Sequence, residues 1–76
     1  MKEILETIIR NIVEDKESVT ITEQVEDKTN TYSVKVAEAD MGRVIGKQGK
    51  TAKAIRMIMK SVAAKEHKRV VIEFED

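Results

Sequence analysis

The chain has no cysteine and no proline, and its 76 residues include only three glycines, one tyrosine, one phenylalanine and no tryptophan. Without cysteine there is neither a disulfide framework nor a thiolate metal site, and the reducing cytoplasm is the natural compartment. Without proline or a Gly/Ser-rich stretch nothing divides the chain, so residues 1–76 read as a single domain. A domain of this size buries only about 60% of its unfolded surface, which leaves no room for a deep catalytic cleft. The opening Met1-Lys2-Glu3-Ile4-Leu5-Glu6 mixes charge with apolar residues. It lacks the run of about 7–15 apolar residues found in secretion signals, and no segment approaches the roughly 20 needed to cross a bilayer.

Catalytic groups are equally scarce. His67 is the only histidine and stands in the run Lys65-Glu66-His67-Lys68-Arg69, with no cysteine or second histidine to complete a nucleophile or a metal site. Glu23, Glu26 and Asp27 lack the spacing of a calcium loop and read as a solvated hairpin end. No enzyme, metal or cofactor is expected. Scarce aromatics also exclude an open platform of rings for stacking bases, so Tyr32 and Phe74 read as core or edge-strand residues.

What is present is charge, and it is segregated. The formal net charge is zero, yet Met1 to Asp40 carries a balance of −5, Met41 to Arg69 one of +8, and Val70 to Asp76 one of −3. One region therefore attracts a polyanion while the others repel it, so such a ligand would be oriented as well as attracted.

The periodicities give an α-β-β-α-α-β order. Ile4, Leu5, Ile8, Ile9, Ile12 and Val13 recur at helical spacing. Val19, Ile21 and Val25, then Tyr32, Val34 and Val36, alternate with polar residues around the turn Asp27-Lys28-Thr29-Asn30, which describes a hairpin with one buried face. Asp40 is placed to N-cap a short helix through Met41, Val44 and Ile45 that Gly46 stops. A longer helix from about Lys50 to Ala64 presents Ile55, Ile58, Met59 and Val62 on one face and Lys53, Arg56 and Lys60 on the other, with Met57 on the basic side. A last strand alternates Val70, Ile72 and Phe74 with Val71, Glu73 and Glu75.

Between the two later helices lies Gly42-Arg43-Val44-Ile45-Gly46-Lys47-Gln48-Gly49-Lys50-Thr51. Gly46 and Gly49 permit positive φ and close approach of bare backbone, while Lys47 and Gln48 project a cation and an amide. Gly49-Lys50-Thr51 ends like a nucleotide-binding loop, but the spacing fails because Val44 stands where a glycine is required. The segment resembles the Ile-Gly-x-x-Gly core of KH domains, and the element order resembles their type II, prokaryotic arrangement. The resemblance covers essentially the whole chain and is strongest to small bacterial KH proteins of the KhpA (YlqC) type.

The resemblance implies an α+β fold with a three-stranded mixed sheet packed on three helices, and non-catalytic binding of single-stranded RNA, as an RNA chaperone or post-transcriptional regulator. By the same match the RNA-binding residues are Arg43, Val44, Ile45, Gly46, Lys47, Gln48, Gly49, Lys50, Thr51 and Lys53. The second strand, around Tyr32, Val34 and Val36, is expected to form the opposite wall of the groove. Bases would lie against aliphatic side chains such as Val44, Ile45 and Val36. The implied partners are single-stranded RNA and a second KH protein, either in a homodimer or as a heterodimer with a larger multidomain protein of the KhpB (Jag) type. Two other readings compete. In one the fold is mainly a protein-interaction adaptor; in the other Lys50 to Ala64 is a recognition helix for duplex DNA. The glycine pair disfavours the latter, since a backbone clamp suits a flexible single strand.

Overall fold

The computed structural model describes residues 1–75. Helix α1 spans Lys2–Ile12, strands β1 and β2 span Thr20–Glu26 and Thr29–Lys35, helices α2 and α3 span Met41–Ile45 and Lys50–Lys65, and strand β3 spans Arg69–Glu75. The order is the expected α-β-β-α-α-β, in an α+β architecture. Helix α1 forms because its apolar residues share one stripe, with Leu5 and Ile9 fully buried and Val13 closing the stripe just beyond the helix. Glu3 in its first turn and Arg10 in its last both complement the helix dipole.

The sheet is mixed, in the order β1-β2-β3. Strand β1 pairs antiparallel with β2 through a tight turn that Glu26 and Thr29 close, and β2 pairs parallel with β3 across the α2-α3 crossover. The helices cover one face. Asn30, Tyr32 and Val34 of β2 turn toward them and are buried, while Thr29, Thr31, Ser33 and Lys35 turn away. Of β1 only Ile21 is buried, so the hairpin's expected apolar face stops there and Val25 stays 57% exposed.

Two expectations change on inspection of the packing. Helix α3 buries Ala52, Ile55, Met59 and Ala63, whereas Ile58 is 48% exposed. Spacing alone puts Ile58 on the apolar side, but the small side chains of Ala52 and Ala63 let α3 lie close to the sheet and shift the buried stripe toward them. Asp40 does not cap α2 with its side chain. Its carboxylate is buried and accepts the backbone N–H of Glu14 and Asp15 at 3.1 and 3.0 Å, so it satisfies the chain leaving α1 instead.

A polar group inside the hairpin is held similarly. The Tyr32 hydroxyl donates to Glu23 Oε2 at 2.6 Å, and the Asn30 amide donates to both at 3.3 Å. Burial, then the bond to Glu23, pushes the Tyr32 hydroxyl up to about 12, while the bond from Tyr32 holds the Glu23 carboxyl below its ordinary range.

Candidate nucleic-acid interface

The five residues of α2 divide by position. Val44 is fully buried beneath the helix, Ile45 is half-buried, and Arg43 points outward. Val44 therefore presents no surface for a base and anchors the helix in the core. Arg43 is also occupied: its guanidinium lies 3.1 Å from Glu14 Oε1 and 3.3 Å from Asp40 Oδ1. The backbone N–H groups of Asp15 and Glu14, with Arg43 contributing less, hold the Asp40 carboxyl below its usual range. This pairing ties α2 to the end of α1 and fixes the platform from which the glycine loop starts.

The loop itself is built by backbone geometry. The N–H of Gly46 makes the last bond of α2, to the Gly42 carbonyl at 2.9 Å, and the chain then adopts φ 77 and ψ 171, a region essentially confined to glycine. A Cβ at Gly46 would overlap the Thr51 hydroxyl and lie 2.7 Å from both the Thr51 Cβ and its backbone nitrogen. The missing side chain is what lets the start of α3 fold against the end of α2. Residues Lys47–Gly49 form one tight turn, closed by the Gly49 N–H on the Gly46 carbonyl at 3.2 Å, with Gln48 at φ 58 and Gly49 at φ 74. The Lys50 N–H returns to the Lys47 carbonyl, and helix α3 begins with no side-chain cap, so the positive end of its dipole faces the turn.

Lys47, Gln48, Lys50 and Lys53 are exposed and Thr51 is half-buried, so the cations expected from the sequence do surround the turn. No acidic residue occurs from Met41 to Lys65. A phosphate placed at the turn meets cations and no carboxylate from its own segment.

Strand β2 does not supply the expected opposite wall. Strand β2 is the central strand, and Tyr32, Val34 and Val36 are buried at 0%, 0% and 6% exposure, so they face the core and line no groove. A strand paired on both sides offers no free backbone edge. Strand β3 does, and α3 lies beside it. Between them runs a hollow of about 330 Å³ lined by Arg56, Lys60, Val70, Val71 and Ile72. Arg56 reaches across to the Ile72 carbonyl, donating through Nε and Nη2 at 3.3 and 3.2 Å, and its guanidinium lies 5.3 Å from the centre of the Phe74 ring. Arg56 and Phe74 lie outside the residues expected from the sequence to bind RNA. Their signal was the Lys53, Arg56, Lys60 spacing, which puts one basic stripe along the flank of α3 nearest β3.

The helix-turn-helix closed by Gly46 and Gly49 stands between strands β2 and β3 of the mixed sheet, and the KhpA/KhpB KH-domain family profile matches residues 2–74. The chain belongs to the KhpA/KhpB KH-domain family. Its KhpA relatives are similar end to end. The RNA-binding protein KhpA of Clostridium acetobutylicum is 48% identical over 73 residues, covering 96% of this chain and 97% of the relative. The RNA-binding protein KhpA of Chlamydia pneumoniae is 45% identical, covering 96% and 94%, and that of Listeria monocytogenes 42%, covering 96% and 96%. Among the described residues no cluster of His, Cys, Asp and Glu could hold a metal ion, and no helix is long and apolar enough to cross a membrane.

Proposed function

We propose that this KH domain binds single-stranded RNA without catalysis, as an RNA chaperone or post-transcriptional regulator. In this reading the turn from Gly46 to Gly49 grips the phosphate backbone, as KH loops do over about four nucleotides, and the α3-β3 hollow takes the bases. The supporting observation is the turn's unspent bonding capacity: Lys47 and Gln48 project from a fixed backbone, at the uncapped start of α3, in a stretch of chain free of carboxylates.

Replacing Lys47 and Gln48 together by Asp tests it. Both side chains are exposed, and aspartate tolerates the left-handed backbone at position 48, so the circular dichroism spectrum is expected to stay unchanged. Affinity for a single-stranded RNA in a gel-shift assay is expected to fall roughly tenfold or more, because two carboxylates replace a cation and an amide. Unchanged affinity in the folded variant would sink the clamp.

A second reading, pairing with another copy or with a multidomain KH protein of the KhpB type, has its own support. Met57 and Ile58 are consecutive on α3 and 70% and 48% exposed. Methionine suits adaptable protein surfaces. Met57→Lys, followed by light scattering and pull-down, is expected to lower the assembled mass while sparing RNA affinity. An identical mass and identical pull-down would remove this helix face from consideration.

A further inference from the structure

Among the described residues, three non-glycines take positive φ: Gln48 on the clamp turn, Asp27 and His67. The latter two sit on separate turns that converge. Asp27 begins the β1-β2 turn, His67 follows α3, and the two turns are joined by the Arg69 N–H on the Lys28 carbonyl at 2.7 Å. Backbone held in sparsely populated regions marks places where a fold has over-determined the chain's course. Here it aims two consecutive cations. The Lys68 N–H returns to the Ala63 carbonyl at 2.9 Å and the His67 N–H to the Ala64 carbonyl at 3.1 Å, which turns the chain so that Lys68 and Arg69 meet the start of β3.

The hollow beside α3 continues to this corner. Lys60, Val70 and Val71 line both the 330 Å³ hollow and a second one of about 520 Å³, which adds Ala64, Lys68 and Arg69. Thr29 and Arg69 in turn belong to the second hollow and to a third, about 600 Å³, at the hairpin turn with Lys28. The floor is apolar and one rim is cationic. Among the described residues the only ion pairs are those of Arg43, so Lys28, Lys60, Lys68 and Arg69 are engaged in none, with Asp27 the one carboxylate lining the passage.

We infer that this passage is a second grip on the same RNA strand, in which Lys60, Lys68 and Arg69, with Lys28 at the exit, hold phosphates of nucleotides lying past those the glycine turn clamps. The inference rests on the RNA reading above and extends it in length. Helix α3 has 16 residues and rises about 24 Å, so the two grips stand at its opposite ends and a strand touching both is longer than the clamped segment. The apolar floor of Val70, Val71 and Ala64 suits bases between the two phosphate contacts, which a bare polyanion would leave unused.

Fluorescence anisotropy with oligouridylates of about 4 and about 10 nucleotides tests it. The longer strand is expected to bind at least about tenfold tighter, beyond the few-fold supplied by extra registers, with a salt slope steeper by about 1.4 if two more phosphates are neutralised. Lys68→Glu with Arg69→Glu is expected to abolish that length gain and leave the short oligomer within about twofold. Neither side chain is buried, so the fold is expected to survive. A double variant that keeps the length gain, or that loses short-strand affinity equally, overturns the second grip. The Lys47/Gln48 variant separates the two failures. If it binds both lengths normally, the clamp fails while the far-end result stands on its own pair; if neither variant changes anything, both are overturned.

Discussion

Helices α2 and α3 end in the same way on paper and differently in space. Both terminate where the chain takes positive φ, at Gly46 (φ 77) and at His67 (φ 58). At Gly46 the backbone lies in a region no L side chain adopts comfortably, and Thr51 fills the space a Cβ would need. At His67 the residue is exposed and the turn is completed by backbone bonds alone. The sign of φ is therefore not what demands glycine. The extended ψ of 171 at Gly46 and the close approach of the next element are, and that approach presents Lys47 and Gln48 outward, whereas the open turn at His67 tolerates a strained residue.

The sharpest way to break this comparison is Gly46→Ala. Its cost combines a backbone conformation costing about 1–3 kcal/mol with overpacking of about 1–3 kcal/mol, so urea unfolding is expected to show a loss of about 2–6 kcal/mol. Thr51→Ala in the same chain is expected to restore less than half, because the Thr51 backbone nitrogen still lies 2.7 Å from the added Cβ. A loss that Thr51→Ala does not relieve at all would mean the turn needs glycine for its conformation alone, and a loss under about 1 kcal/mol would overturn both causes.

The anchors of the two helices differ too. The C-terminus of α3 is closed by its own backbone, but the start of α2 is held by the Asp40 carboxylate on two N–H groups of the segment after α1. Asp40→Ala orphans both donors and is expected to lower the thermal midpoint more than any single change at Gly49. The pH dependence follows. A carboxyl held below its unfolded value contributes stability that is fully present above the ordinary carboxylate range and is lost as pH falls through the lowered value. The wild-type midpoint is expected to drop below about pH 4, and less steeply in Asp40→Asn. Glu23, lowered by Tyr32, keeps part of the same dependence in that variant. An equally steep acid loss in Asp40→Asn would assign it to Glu23 alone.

These contrasts also show how far the sequence was readable. Periodicity placed all six elements, and the glycine spacing placed the turn, because both depend on local backbone rules. What depended on three-dimensional neighbours was not readable. Val44 lies in the loop motif yet points into the core, and Ile58 fits the apolar spacing yet is displaced from the core by two alanines. The alternation of Tyr32, Val34 and Val36 said which residues share a face but not that the face is the buried one of a central strand, which leaves β3 with the free edge beside α3. Asp40 read as a cap because capping is a local signal; its actual partners are 26 and 25 residues away.

Gly49 stands between the two turns in character. It takes φ 74 and ψ 13, yet nothing lies within 4 Å of where a Cβ would be. Gly49→Ala is expected to cost about 1–2 kcal/mol from conformation alone, and Gly49→Asn less, since asparagine visits this region more readily. A cost for alanine matching that at Gly46 would show that the turn is crowded on both sides and would erase the distinction drawn from Thr51.

The smallest effect is expected at the open turn and has the opposite sign. His67 occupies the position after α3 where glycine is the usual residue, with the paired bonds from Lys68 and His67 already in place. His67→Gly removes a left-handed strain of about 1–2 kcal/mol, and the extra freedom of glycine in the unfolded chain returns about 0.5–1 kcal/mol of it. A net stabilisation of about 0.5–1 kcal/mol is expected in urea unfolding, with an unchanged slope because no additional surface is buried. The direction distinguishes the two helix ends: removing a side chain helps at 67, while adding one at 46 harms. Destabilisation by His67→Gly would mean that the imidazole is held by its neighbours, and that the course of Lys68 and Arg69 depends on a side chain as well as on backbone bonds.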